Sequence, residues 1–191
     1  QPAAQRAAIL YAAALASQQL RDTAGAHAFW RQLDALVPTS DAAARRQSAW
    51  LGAELALAAG QPQQALDLVE RHPAPQLRPA VLLHAQAQLA LQRPALASER
   101  LQTWVTTHPQ DAQAWQWLAQ AWQAQNQPLR ALRAQAEAQV AIRDFSAAQD
   151  RLKAAQDLAL RGGNQDHIEA SIIDTRLRAV TELLREEARK Q

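Results

Sequence analysis

The chain has 191 residues, no cysteine and no methionine, with 20 basic against 18 acidic side chains. Alanine (46) and glutamine (27) dominate it and only five glycines occur, a composition that favours helices over sheets. No apolar run is long enough to span a bilayer, no leader pattern is visible, no thiol can form a disulfide, a zinc ligand or a nucleophile, and a net charge of +2 does not suggest nucleic acid or an anionic membrane.

Helical periodicity is almost unbroken, and its interruptions are regular. Pro62, Pro94 and Pro128 are placed to open helices, where a missing N–H costs nothing. Pro38, Pro73 and Pro109 follow helix ends, and Ser40 or Asp41, and Asp111, are plausible N-caps after such prolines. The expected helices are 4–21, 24–37, 41–60, 62–72, 77–92, 94–107, 111–126, 128–142, 145–161 and 165–189. Their short connections require neighbours to lie antiparallel. Gly162-Gly163 is expected to end the ninth helix through a left-handed C′ residue. In the last helix, Ile168, Ile172, Ile173, Leu177, Val180 and Leu184 form an expected apolar stripe, with Arg176, Arg178, Arg185, Glu186 and Glu187 on the other faces.

The segments opened by Pro94 and Pro128 align at an offset of 34 residues, and Gly60-Gln61-Pro62 aligns with the same block. Two helices per period near 34 residues resembles the tetratricopeptide repeat (TPR). Repeats start at Ala7, near Arg46, at Arg78 and at Ala112, and the first, third and fourth place alanine at the two close-contact positions. These are Ala14 and Ala26, Ala85 and Ala97, and Ala119 and Ala131. The departures are His84 and Gln88 at core positions of the third repeat, Gln135 at a core position of the fourth, and a short, degenerate second repeat. After Ala131 the period halves, so one helix is expected to partner both of its neighbours. The resemblance implies an all-α, right-handed TPR superhelix forming a single domain over 1–191. Four hairpin repeats would occupy 1–143, with an extra helix and a capping helix in 144–191.

A narrower resemblance lies in Gln127-Pro128-Leu129-Arg130-Ala131, Ala136-Glu137-Ala138 and Ala170-Ser171-Ile172-Ile173-Asp174-Thr175-Arg176-Leu177-Arg178. This stretch resembles the end of BepA-like periplasmic zinc metalloproteases, in which a peptidase domain precedes a TPR domain. The resemblance implies periplasmic localisation and a role in quality control of outer-membrane proteins. The implied partners are β-barrel assembly components, clients and the parent's own protease domain. The absence of an initiator methionine leads to the expectation that the chain is cut from such a parent. The chain itself has no HExxH motif, and its histidines at 27, 72, 84, 108 and 167 offer no i,i+4 pair for zinc. No enzyme activity, metal or cofactor is therefore expected of it.

By the TPR pattern, the concave surface would be lined by Tyr11, Leu15 and Gln18, then by Gln47, Trp50, Glu54 and Leu57. Leu82, Gln86 and Leu89 follow, then Gln113, Gln116, Gln120 and Gln123. This amide-rich and apolar set suits an extended polypeptide whose backbone bonds to glutamine. The alternative is that glutamine is simply the default exposed residue of this chain. Trp30, Trp104, Trp115 and Trp122 read as packing residues, whereas Trp50 and Trp117 could equally be exposed interface anchors. His72 and His108 read as helix C-terminal residues stabilised by the dipole, and His84 as an interior histidine. The arginines are scattered, which favours a solvated surface. The functional expectation is a protein-binding module without nucleic-acid binding or membrane insertion. A stand-alone TPR scaffold in another bacterial assembly is the alternative to the protease-linked domain.

Overall fold

The computed structural model describes residues 2–161 and 166–190. Ten α-helices and no strands occur among them. They are α1 (Ala3–Gln19), α2 (Thr23–Leu36), α3 (Ala42–Ala58), α4 (Pro62–Arg71), α5 (Arg78–Ala90), α6 (Pro94–Thr107), α7 (Ala112–Ala124), α8 (Pro128–Ala141), α9 (Phe145–Arg161) and α10 (His167–Ala188). Their bounds follow the expected ones within about two residues, because the local signals act as read. Pro62, Pro94 and Pro128 open α4, α6 and α8. Asp41 caps α3 through the Ala44 N–H, Asp111 caps α7 through the Ala114 N–H, and Asp22 and Asp166 do the same for α2 and α10. The expected Gly162-Gly163 cap lies outside the described residues.

The turns between paired helices share one geometry. Arg21, Gly60, Asn126 and Arg143 each stand two residues past the end of a helix, just after its C-cap, with φ of 61°, 71°, 56° and 65°. At each, the following N–H reaches back to a carbonyl five residues earlier: Asp22 to Ser17, Gln61 to Ala56, Gln127 to Trp122 and Asp144 to Gln139. This double-bonded left-handed closure satisfies carbonyls that the helix end would otherwise orphan. Gln92 has φ 59° at the corresponding place after α5.

The chain divides into two compact units, 1–92 and 93–191. In the first, α1 pairs with α2 and α3 with α4, while α3 also packs on α2 and α5. Ala14, Ala26, Ala53 and Ala65 are all but inaccessible, so the helices touch where a larger side chain would hold them apart. The second repeat is thus short in α4 yet intact at both close-contact positions. Leu10, Leu33, Val37, Leu51 and Leu55 form one apolar cluster, and Leu66, Leu68, Val69 and Leu83 belong to another. Trp30 packs between them over Gly52, and its indole N–H donates to the Ser48 carbonyl at 2.8 Å.

In the second unit α8 packs on both α7 and α9, and α10 closes against α9 and α8. The expected halving of the period is not seen: α7, α8 and α9 begin at Ala112, Pro128 and Phe145, the spacing that α5, α6 and α7 keep, and α2 and α4 likewise pack on both neighbours. Ala119 and Ala131 are buried between α7 and α8, and Phe145, Leu152, Ile173 and Val180 centre the last cluster. The inward face of α10 differs from the expected stripe. Ile168 is 77% exposed and Ile172 38%, whereas Glu169 is 3% exposed. The reason is polar. Glu169 pairs with Arg133 and faces Arg130 at 3.8 Å. Arg176 donates two bonds to Glu137, Nε to Oε1 at 2.6 Å and Nη2 to Oε2 at 2.7 Å. Gln149 bonds to Thr181 and Gln156 to Asp174, each at 2.9 Å. Turning Glu169 and Arg176 toward α8 rotates Ile168 and Ile172 outward. Glu137, Asp174 and Arg176, which fall in the narrower resemblance, are thus among the residues that tie α10 down.

Candidate functional site

In the first unit Tyr11 is 39% exposed. Its hydroxyl is held above its ordinary pKa of 10.0 by partial burial and by the charge of Glu54. Tyr11 of α1 thus lies within electrostatic reach of Glu54 of α3, and burial raises the Glu54 carboxyl as well. Gln47 is exposed, while Leu15 and Leu57 are half-buried against the two apolar clusters. Trp50 is also half-buried against the second cluster, with its indole N–H enclosed and unbonded among the described residues. It is therefore no freely presented anchor.

Leu82 corrects the expectation: it is 5% exposed and offers almost nothing to a ligand. Its position in α5 turns toward the protein because every residue from Ala80 to Ala85 is buried, an all-round enclosure that a one-faced amphipathic reading misses. Gln86 bends its amide back to the Leu82 carbonyl at 3.2 Å, and Leu89 is half-buried. Gln18 lines a pocket at the α1–α2 turn with Arg21, Thr23 and His27.

The second unit keeps its row together. Gln113, Gln116, Gln120 and Gln123 are exposed along α7. The last three border an open pocket of about 510 Å³ with Ala119, Ala124 and Gln135 of α8. Gln116, Gln120, Gln123 and Gln135 make no hydrogen bond among the described residues, so their amides are free to donate and accept. Gln135 stands where the other repeats carry Trp30, Val69 and Leu101. The departure from the repeat pattern thus brings an amide to the pocket in place of an apolar side chain. No residue bordering this pocket carries a charge.

The other aromatic residues serve packing. Trp104 and Trp122 are each 8% exposed. The Trp104 N–H donates to Asp111 at 3.0 Å and the ring stacks on His108, with centroids 3.6 Å apart. Trp115 donates to the Pro109 carbonyl, and Arg130 lies over Trp122. Trp117, the other candidate anchor, is half-buried. His72 and His108 cap α4 and α6 at their C-terminal ends, and His84 is an interior residue beside Gln88.

Among the described residues no group of three His, Cys, Asp or Glu side chains could hold a metal, and no helix is long and apolar enough to cross a membrane.

No family model matches the chain, and no curated protein matches it in sequence. A solved structure titled "MamA RS-1 ArsTM double mutant" is similar to it over 95% of this chain and 96% of that one, at 16% identity and a TM-score of 0.60. MamA is a TPR-like protein, and the likeness, with ten helices and no strand among the described residues, shows the fold to be an all-α solenoid of TPR type.

Proposed function

We propose that the chain is a non-catalytic protein-binding module that holds an extended polypeptide along α7. One observation carries this reading: four unspent glutamine amides gather around an uncharged, alanine-walled pocket. A glutamine side chain presents one acceptor and a two-hydrogen donor, the complement of a peptide unit. Gln116 and Gln120 are about 6 Å apart along the helix axis, close to the repeat of two residues in an extended strand. A preformed row of this kind lowers the ordering cost on association.

The test is direct. Replacing Gln116, Gln120 and Gln123 together with alanine removes three bonds of about 1 kcal/mol each. Binding of short neutral peptides, read by fluorescence anisotropy, should weaken about 100-fold. N-methylated peptides should bind as poorly as the variant. Equal binding of methylated and unmethylated peptides by the native protein would overturn backbone recognition.

The finer reading is that this module belongs to a BepA-like periplasmic metalloprotease, docking clients or β-barrel assembly components beside the catalytic half. The Gln127–Ala138 and Ala170–Arg178 segments support it. A parent reading frame without HExxH and a leader sequence would refute it. The alternative is a stand-alone TPR scaffold in another bacterial assembly.

A further inference from the structure

The α1–α2 turn holds a second pocket, in the first unit, of about 330 Å³. Gln18 ends α1, Arg21 stands in the turn, and Thr23 and His27 lie in the first two turns of α2; all four line the pocket. Each carries a hydrogen-bond donor, and none of these side chains makes a hydrogen bond among the described residues. The remaining wall is apolar, formed by Ala26, Leu55 and Ala58. The nearby carboxylate, Asp22, does not line the pocket; its side chain is committed to the Gly25 N–H at 2.9 Å. The His27 ring stands edge-on to Trp30, with centroids 6.2 Å apart, and Trp30 is itself pinned to Ser48. The donor wall is therefore partly fixed before any ligand arrives.

We infer that this pocket binds a carboxylate whose carbon chain rests on Ala26, Leu55 and Ala58. One guanidinium with neutral donors matches a single negative charge, and guanidinium–carboxylate bonding is planar and two-pronged. A phosphate dianion would remain half-neutralised in a site with one permanent cation. The carboxylate could end a polypeptide or belong to a small free acid. The inference is independent of the peptide reading of α7, since it uses other residues in the other unit.

Amide shifts of Gln18, Arg21, Thr23 and His27 report occupancy by NMR. The probes are a short peptide ending in a free leucine carboxylate, the same peptide as its terminal amide, isovalerate and inorganic phosphate. The free acid should bind at least about tenfold more tightly than the amide, the loss expected for a charge-assisted bond. Arg21→Gln should weaken the acid by a similar factor and Arg21→Lys by less. Gln92 already occupies the equivalent turn position at φ 59°, so glutamine is tolerated there, and Thr23→Val gives a second variant that leaves the turn unaltered. Tighter binding of the peptide than of isovalerate assigns a polypeptide C-terminus; equal binding assigns a free acid. Equal affinity for acid and amide, indifference to Arg21→Gln, or tighter binding of phosphate would overturn the inference.

Discussion

Gly52 sits inside α3, where replacing glycine with alanine ordinarily stabilises a helix by about 0.5–1 kcal/mol. Here the sign should reverse. A Cβ at residue 52 would lie 2.4 Å from Trp30 Cζ2, 2.5 Å from Cε2 and 2.8 Å from Nε1. The indole cannot swing aside freely, because its N–H is bonded to the Ser48 carbonyl and the Ser48 hydroxyl donates to Asp34 at 2.7 Å. Overpacking of this kind costs about 1–3 kcal/mol, and loss of the indole bond about 1 kcal/mol more. Subtracting the propensity gain leaves Gly52→Ala destabilised by about 1–3 kcal/mol, or about 3–10 °C in Tm for a chain of this size. Urea unfolding followed by far-ultraviolet circular dichroism measures the first quantity, and thermal unfolding the second. In a Trp30→Leu background the same substitution should stabilise, by the propensity term alone. A Gly52→Ala protein as stable as the parent, or an equal effect in both backgrounds, would refute the account.

Further outcomes follow from other contacts. Arg176→Gln leaves the largely enclosed Glu137 carboxylate without its two-pronged partner and should cost about 1.5–3 kcal/mol, read as lost hydrogen-exchange protection confined to α10 and its neighbours. Gly60→Ala should cost about 1 kcal/mol, because φ there is +71° although the space is open. Arg143→Gly should stabilise by a few tenths of a kcal/mol to about 1 kcal/mol by relieving the same strain; denaturant midpoints decide both. His72 is held below its ordinary pKa of 6.5, first by burial and then by Arg45 and Arg71, with Asp34 pulling weakly the other way. The folded state thus prefers the neutral ring. Its contribution is complete above the unfolded-state pKa and is lost as pH falls through the folded one. Protection of His72 from protonation in an NMR titration, and a flatter stability profile below pH 6.5 in His72→Gln, check this.

The helix bounds were legible because local chemistry sets them: Pro62, Pro94 and Pro128 open α4, α6 and α8, and the caps Asp41 and Asp111 fix where α3 and α7 begin. The close-contact alanines were legible because only small side chains serve there. The face of α10 was not. Apolar periodicity points Ile168 and Ile172 inward, and nothing local announces that Glu169 finds Arg133 from 36 residues away. The α7 glutamine row was readable from helical spacing, but its value rests on Gln135, which reads in sequence only as a departure from the repeat. The α1–α2 pocket draws on residues with no motif among them; His27 and Leu55 meet only through the packing of α2 on α3.

Shared helix faces bear on how such chains lengthen. The helices α2, α4, α7 and α8 each pack on the helix before and on the helix after. The turns at Arg21, Gly60, Asn126 and Arg143 repeat one geometry. A hairpin here is therefore no closed unit: each second helix offers a further face, and the same turn delivers the next helix onto it.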